Sequence, residues 1–164
     1  MKKSILIPLF ALLLFSACDR DGVSNAELRK LEKAKETWQK TKTPDYSFNY
    51  RQSCFCAYFG EVKIQVFADT VYAVVNPETG EDATIETENG DEKLLDLYPT
   101  LFLTIDELFE ELEEAAMIAD EMEGSYDNDR GYPKQVSIDY LKDAIDDEVS
   151  HLISNYQVLT LTNK

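Results

Sequence analysis

The pattern of hydrophobic and polar residues along the chain predicts a mixed domain of helices and strands. Apolar residues recur at helical spacing after Ser24 and after Thr104, and each segment opens with a capping-box pattern; Pro44 stops the first helix. Alternation typical of half-buried strands marks short segments separated by turn residues. These segments are residues 46–51, 62–66, 71–75, 124–126, 135–140 and 149–159. The order of elements predicts an α+β fold: an antiparallel sheet of about five to six strands with two amphipathic helices packed on one face.

Two segments between these elements are rich in turn-forming residues. Residues 76–80 open an acidic, poorly patterned stretch from Glu81 to Glu92, which we interpret as an exposed loop. In the second segment, residues 127–133, Gly131 is expected to supply an unusual φ angle, and Pro133 is expected to start the next strand.

The N-terminal residues have the order of a bacterial secretory signal. Lys2 and Lys3 precede a short apolar run, residues 5–15, and small residues then lead into Cys18. The run is too short to cross a bilayer, which takes about 20 apolar residues, and it fits the core of a signal peptide. We therefore predict a lipoprotein signal peptide, lipid on Cys18, a short tether and one acidic domain. Their bounds are residues 1–17, 18–23 and 24–164.

Lipid on Cys18 predicts where the protein resides. The chain would be anchored to a membrane of the bacterial cell envelope and face the periplasm. Asp19 resembles the inner-membrane retention signal of enterobacterial-type sorting and so suggests the inner membrane, and the outer membrane stays open. Plain secretion is the alternative, although the bulky Phe15 fits an ordinary cleavage site poorly.

Acidic residues outnumber basic residues two to one. The chain has 16 Lys and Arg against 32 Asp and Glu, a net charge of −16. Removal of residues 1–17 takes away two lysines and leaves a net charge of −18. This charge repels nucleic acid and anionic lipid surfaces and favours a basic protein, a cationic peptide or divalent cations as a partner. Solubility alone is the alternative explanation.

Cys54 and Cys56 would face an oxidising compartment. In an extended strand their Cα atoms would lie about 6.6–6.8 Å apart, at the outer limit for a disulfide, so a bond requires a turn or stores strain. A strained disulfide is more oxidising than a structural one. A local disulfide, packed thiols and thiol exchange therefore all stay open. A zinc site is disfavoured because His151 is the single histidine, and we expect His151 at the surface or half-buried.

Acidic side chains late in the chain form a candidate calcium site, since calcium prefers several carboxylate and carbonyl oxygens. The candidate ligands are Asp127, Asp129, Asp139, Asp146, Asp147 and Glu148. Their spacing is not that of an EF-hand, because Gly131 falls at position five, rather than six, when Asp127 is the first. Weak calcium binding is one hypothesis, and stabilisation of turns by Asp and Asn is its alternative.

Aromatic residues on the predicted strands are expected mainly in the core, with their hydroxyls reaching water, and an interface role is the alternative. They are Tyr46, Phe48, Tyr50, Tyr58, Tyr72, Tyr126, Tyr132 and Tyr140. No recognised catalytic motif is present, and no cofactor is predicted.

Several short motifs carry a family resemblance. They are Cys54-Phe55-Cys56, Tyr126-Asp127 with Gly131-Tyr132-Pro133, Ile138-Asp139, Asp146-Asp147-Glu148 and the IDELF segment that begins at Ile105. In combination they resemble small bacterial lipoproteins built on a domain of unknown function, the 6174 family, over most of residues 36–154. The resemblance implies one domain and a lipid anchor, and it transfers no catalytic residue.

These features predict a non-enzymatic binding or accessory module, an inhibitor or an assembly factor, whose acidic surface meets a basic envelope partner. Two alternatives stay open. One is a thiol–disulfide exchange protein that uses Cys54 and Cys56, and the other is a weak calcium-binding protein.

Overall fold

The structure, a computed structural model, describes residues 22–54, 60–142, 144 and 146–160. It has α+β architecture, with a six-stranded antiparallel sheet, a small two-stranded sheet and a few helices. The elements are α1 (Asn25–Thr41), β1 (Tyr46–Ser53), β2 (Val62–Phe67), β3 (Thr70–Val75), β4 (Thr84–Thr87), β5 (Gly90–Lys93), α2 (Leu94–Leu97), a 3₁₀ turn (Pro99–Leu101), α3 (Ile105–Ile118), β6 (Glu121–Tyr126), β7 (Pro133–Asp139) and β8 (Val149–Val158). The predicted α+β class and antiparallel sheet are confirmed, while the packing of two helices on one face stays a prediction.

The main sheet has the strand order β3-β2-β1-β8-β7-β6. The last strand of the chain therefore pairs with the first, and both lie in the middle of the sheet. Helix α1 contacts this centre through Trp38, whose ring lies edge-on to Tyr46 with centroids 5.4 Å apart. Helix α3 contacts it at its first residue, because the Ile105 N–H donates to the Tyr46 hydroxyl at 3.0 Å.

Alternation along the strands places one set of side chains in the core. Tyr46, Phe48 and Tyr50 of β1 are buried, and so are Val62, Ile64 and Val66 of β2. The expectation of core aromatics is thus confirmed for β1. The expectation that their hydroxyls reach water was wrong, because those of Tyr46 and Tyr50 make buried hydrogen bonds to Ile105 and His151. Tyr72 on the edge strand β3 differs, since 73% of it is exposed.

The interpretation of residues 81–92 as a loop was wrong, because β4 and β5 form a hairpin there. Its strands are held by backbone pairing from Thr84–Lys93 to Thr87–Gly90, and the Thr87 hydroxyl also donates to the Gly90 carbonyl at 2.9 Å. Most of its residues are polar and exposed, and Ile85 is its single apolar residue, so the hairpin lacks the apolar alternation by which strands are predicted.

The two helix starts differ in their capping. At α3, Thr104 and Glu107 make both bonds of the predicted capping box. At α1, the Ser24 side chain accepts from the Glu27 N–H, but the Glu27 carboxylate does not accept the Ser24 N–H. It accepts the Gly124 N–H of β6 instead, at 3.2 Å. Within the described part of the chain, no helix is long and apolar enough to cross a membrane.

Candidate functional site

Several connections leave the main sheet at the same end. Ser53 at the end of β1 pairs with Ser150 near the start of β8, and Glu121 at the start of β6 pairs with Asp139 at the end of β7. We call this region the loop end and define it as Cys54 and residues 117–121, 139–142 and 146–149. It gathers segments that are far apart in sequence.

Hydrogen bonds from Asp120 and Asp139 fix the backbone of the loop end. The Asp120 N–H donates to the Asp139 carbonyl at 3.0 Å, and the Asp120 carboxylate accepts the Lys142 N–H at 3.0 Å. The Asp139 carboxylate accepts the Leu141 N–H at 3.1 Å. These bonds hold the end of α3 against the connection between β7 and β8.

An open groove of about 500 Å³ lies beside these bonds and runs along β6 to the start of α1. We call it the acidic groove, because its charged lining consists of five carboxylates and one amine: Glu27, Asp120, Glu121, Glu123, Asp139 and Lys142. Partial burial works against ionisation of Glu27, but its bonds from Lys30 and the Gly124 N–H together lower its pKa, so it stays charged. The groove therefore presents a concave negative surface.

Three large apolar side chains are exposed on chain segments that adjoin residues of the acidic groove. Met117, Ile118 and Leu141, which we call the apolar trio, are 75%, 70% and 61% exposed. The first two end α3 just before Asp120, and Leu141 directly precedes Lys142. Exposed apolar side chains beside polar groups are typical of interaction surfaces.

A buried polar cluster lies deeper, between β1, β8 and α3. His151 is only 1% exposed, and its Nδ1 lies 2.9 Å from the Tyr50 hydroxyl. Its Nε2 lies 3.8 Å from Oε1 of Glu111. Burial lowers the pKa of His151 to about 4, so the imidazole is neutral at pH 7. The expectation of a surface or half-buried His151 was wrong.

The sequence carried one indication of this burial. His151 has the same strand parity as Ile153, and both side chains are buried. Burial also raises the pKa of Glu111, the carboxylate that faces the imidazole, with a further contribution from Glu114. The imidazole is closed to solvent in this conformation.

The cysteines predicted to react or to carry lipid lie mostly outside the described residues. Cys54 directly follows β1 at the loop end and is not a free thiol in the structure. Cys18 and Cys56 lie outside the described residues. Lipid on Cys18 and the pairing of Cys54 with Cys56 therefore stay predictions.

The structure divides the candidate calcium ligands between the two ends of β7. Asp139, Asp146, Asp147 and Glu148 are at the loop end, while Asp127 and Asp129 lie in the turn from β6 to β7. Asp139 is the last of the seven residues of β7, and the turn precedes the first, so the two groups lie about 20 Å apart. The six ligands therefore do not form one cluster. Among residues 22–54, 60–142, 144 and 146–160, no group of three or more His, Cys, Asp or Glu could hold a metal ion.

The turn from β6 to β7 shows what Asp127 does. Its carboxylate accepts the N–H groups of Asp129 at 3.0 Å and Arg130 at 2.8 Å. Gly131 adopts a φ of +85°, and Pro133 opens β7, as predicted. Asp127 therefore stabilises the turn through the backbone.

Fold and surface together define an acidic α+β domain with a charged groove and an apolar trio at one end of its sheet. Residues 30–158 match the model of the DUF6174 family, which is described as a family of unknown function. The chain therefore belongs to this family, and the match extends from α1 to the end of β8. No curated protein and no solved structure matches the chain.

Proposed function

We propose that this protein is a non-enzymatic binding or accessory module of the bacterial cell envelope, anchored by lipid on Cys18, which docks a basic envelope protein or peptide at its loop end. The observation that carries the proposal is the position of the apolar trio beside the acidic groove. Carboxylates and apolar side chains on one surface suit a partner that is both basic and amphipathic.

The two parts of this surface contribute differently to binding. The net charge of −18 that remains without residues 1–17 steers a basic partner towards the domain and speeds association. Burial of the apolar trio then slows dissociation, because apolar area removed from water supplies most of the affinity. Steering weakens as salt rises, since the Debye length falls from about 10 Å at 0.1 M to about 3 Å at 1 M ionic strength.

The support for binding over catalysis comes from the buried cluster. The one imidazole of the chain is only 1% exposed, so a substrate would not reach it without opening of the fold. The groove itself is lined by carboxylates that hold backbone groups or face water, an arrangement suited to recognition of cations.

Binding of a Lys- and Leu-rich amphipathic peptide, measured at low and high salt, tests the proposal. Replacing two exposed groove carboxylates, in E121Q/E123Q, should weaken binding about tenfold at low salt and much less at high salt. E86Q/E88Q makes the same charge change at exposed hairpin positions and should bind like the wild type. Binding that is insensitive to salt, or equal losses in the two variants, would contradict a site at the loop end.

One observation favours the thiol alternative. Cys54 lies at the loop end, as the proposed binding surface does, and it is not a free thiol. If thiol exchange is the function, Cys54→Ser should abolish it in cells that lack the wild-type protein. Full complementation by that variant would exclude thiol exchange and leave binding as the remaining proposal.

A further inference from the structure

The acidic groove reaches the point where the tether joins the domain. Gly22 lines the groove together with Asp120 and Lys142, and Cys18 precedes Gly22 by four residues. A fully extended chain spans at most about 3.3–3.6 Å per residue, so these four residues reach about 14 Å. A domain of this length has a radius of gyration of about 14 Å. The domain is therefore at least about twice as wide as the extended tether is long.

We infer that the tether holds the loop end at the membrane surface and that the partner is the basic, membrane-adjacent segment of an integral membrane protein. This inference rests on the proposed function and on lipid at Cys18. With such a tether the loop end stays near the lipid headgroups, while the turn from β6 to β7, at the other end of the sheet, points away from them.

Charge argues against the lipid itself as the occupant of this surface. The apolar trio cannot approach an anionic bilayer without bringing Asp120, Glu121 and Asp139 to the same surface, where negative headgroups repel them. A basic protein segment at the headgroup level removes this repulsion and offers apolar side chains to the trio. Confinement of both molecules to one surface raises their effective concentration, so a modest affinity suffices.

The length of the tether tests the inference. The full mature chain with its lipid is placed in anionic vesicles that carry a transmembrane helix with a Lys- and Leu-rich juxtamembrane segment, and Gly/Ser linkers of increasing length are inserted before Gly22. Energy transfer between the loop end and the segment should fall several-fold with the longer linkers. The unlipidated chain, Cys18→Ser, should bind the same segment as a free peptide equally well with and without a linker.

The outcomes separate the two proposals. Energy transfer that is independent of linker length, with binding of the free peptide intact, would overturn the inference and leave the proposed function standing. Absence of binding to the free peptide would overturn the proposed function. Vesicles without the helix control for the lipid: if the loop end contacts them and Ile118→Ser abolishes that contact, the bilayer is the occupant and the inference is wrong.

Discussion

His151 and Glu111 face each other across the boundary between β8 and α3 without a hydrogen bond. Nε2 of His151 lies 3.8 Å from Oε1 of Glu111, beyond hydrogen-bond distance. Within the described part of the chain this nitrogen has no hydrogen-bond partner. An unsatisfied buried polar atom costs about 1–3 kcal/mol, so the protonation state of this pair affects the stability of the fold.

We expect stability to fall with acid because of His151. Burial lowers its pKa from 6.5 to about 4 in the folded state, so between these values the unfolded chain binds more protons. The contribution of His151 is therefore complete above pH 6.5 and is lost as the pH falls to 4, by up to about 3 kcal/mol. Urea unfolding of the wild type and of His151→Phe between pH 7 and pH 4 measures the difference.

Other groups around His151 affect the size of this effect. Burial raises the pKa of Glu111, so the folded state holds that proton more tightly and partly offsets the loss at low pH. Tyr50 stays protonated throughout, because burial raises its pKa, and Tyr140 also faces Glu111. If the free energy of unfolding falls equally with pH in the wild type and in His151→Phe, the expected role of His151 in acid sensitivity is contradicted. The chain has a single histidine, so one imidazole NMR resonance reports the titration directly.

Tyr50→Phe, which removes the Tyr50 hydroxyl, should destabilise the protein by about 1–3 kcal/mol, because it leaves His151 Nδ1 without its partner in the core. Tyr72→Phe is the matched control, since Tyr72 is 73% exposed and should change stability by less than about 0.5 kcal/mol. Chemical denaturation of both variants gives the comparison, and equal effects would argue against the bond between Tyr50 and His151.

Gly131→Ala should cost about 2–4 kcal/mol, because two unfavourable terms combine. The residue has a φ of +85°. An added Cβ would also overlap the Ala34 carbonyl oxygen and lie 2.6 Å from the backbone nitrogen of Trp38 on α1. Gly80→Ala separates the two terms: its φ is +74°, but no atom lies within 4 Å of the added Cβ. It should cost about 1 kcal/mol. Similar melting temperatures for the two variants would exclude close packing of the turn on α1.

Asp106→Ala should loosen the contact between the two long helices. The Asp106 carboxylate on α3 accepts from Trp38 Nε1 at 3.2 Å, from Gln39 at 2.7 Å and from Lys42 at 3.0 Å, all on or just after α1. We expect a loss of about 1–3 kcal/mol in the free energy of unfolding. Glu110→Ala, at an exposed position of α3, should have little effect. A stability of Asp106→Ala equal to that of Glu110→Ala would contradict this role.

Much of the secondary structure could be predicted from local patterns. Apolar alternation identified β1 and β2, and the Thr104 capping box marked the start of α3. The expectation that β1 is half-buried was wrong, because Ser47 and Asn49 on its second side are buried too. The hairpin of β4 and β5 and the short helix α2 were not predicted. The hairpin is held together by backbone pairing and turn geometry rather than by an apolar face.

The buried cluster and the groove could not be predicted in the same way. Tyr50 and His151 are 101 positions apart, and they meet only because β8 inserts between β1 and β7 in the sheet. Nothing in the periodicity of a strand specifies its neighbour. Likewise Glu27 reads as half of a capping box, yet the fold directs its carboxylate to β6.

Trp38 is the single tryptophan of the chain and is wholly buried. Its indole lies edge-on to Tyr46 and Tyr156, and its N–H donates to Asp106. One fluorophore therefore senses α1, α3, β1 and β8 at once. Detachment of α1 would expose the indole to water and shift its emission to the red, so intrinsic fluorescence can follow the unfolding of every variant above without a label.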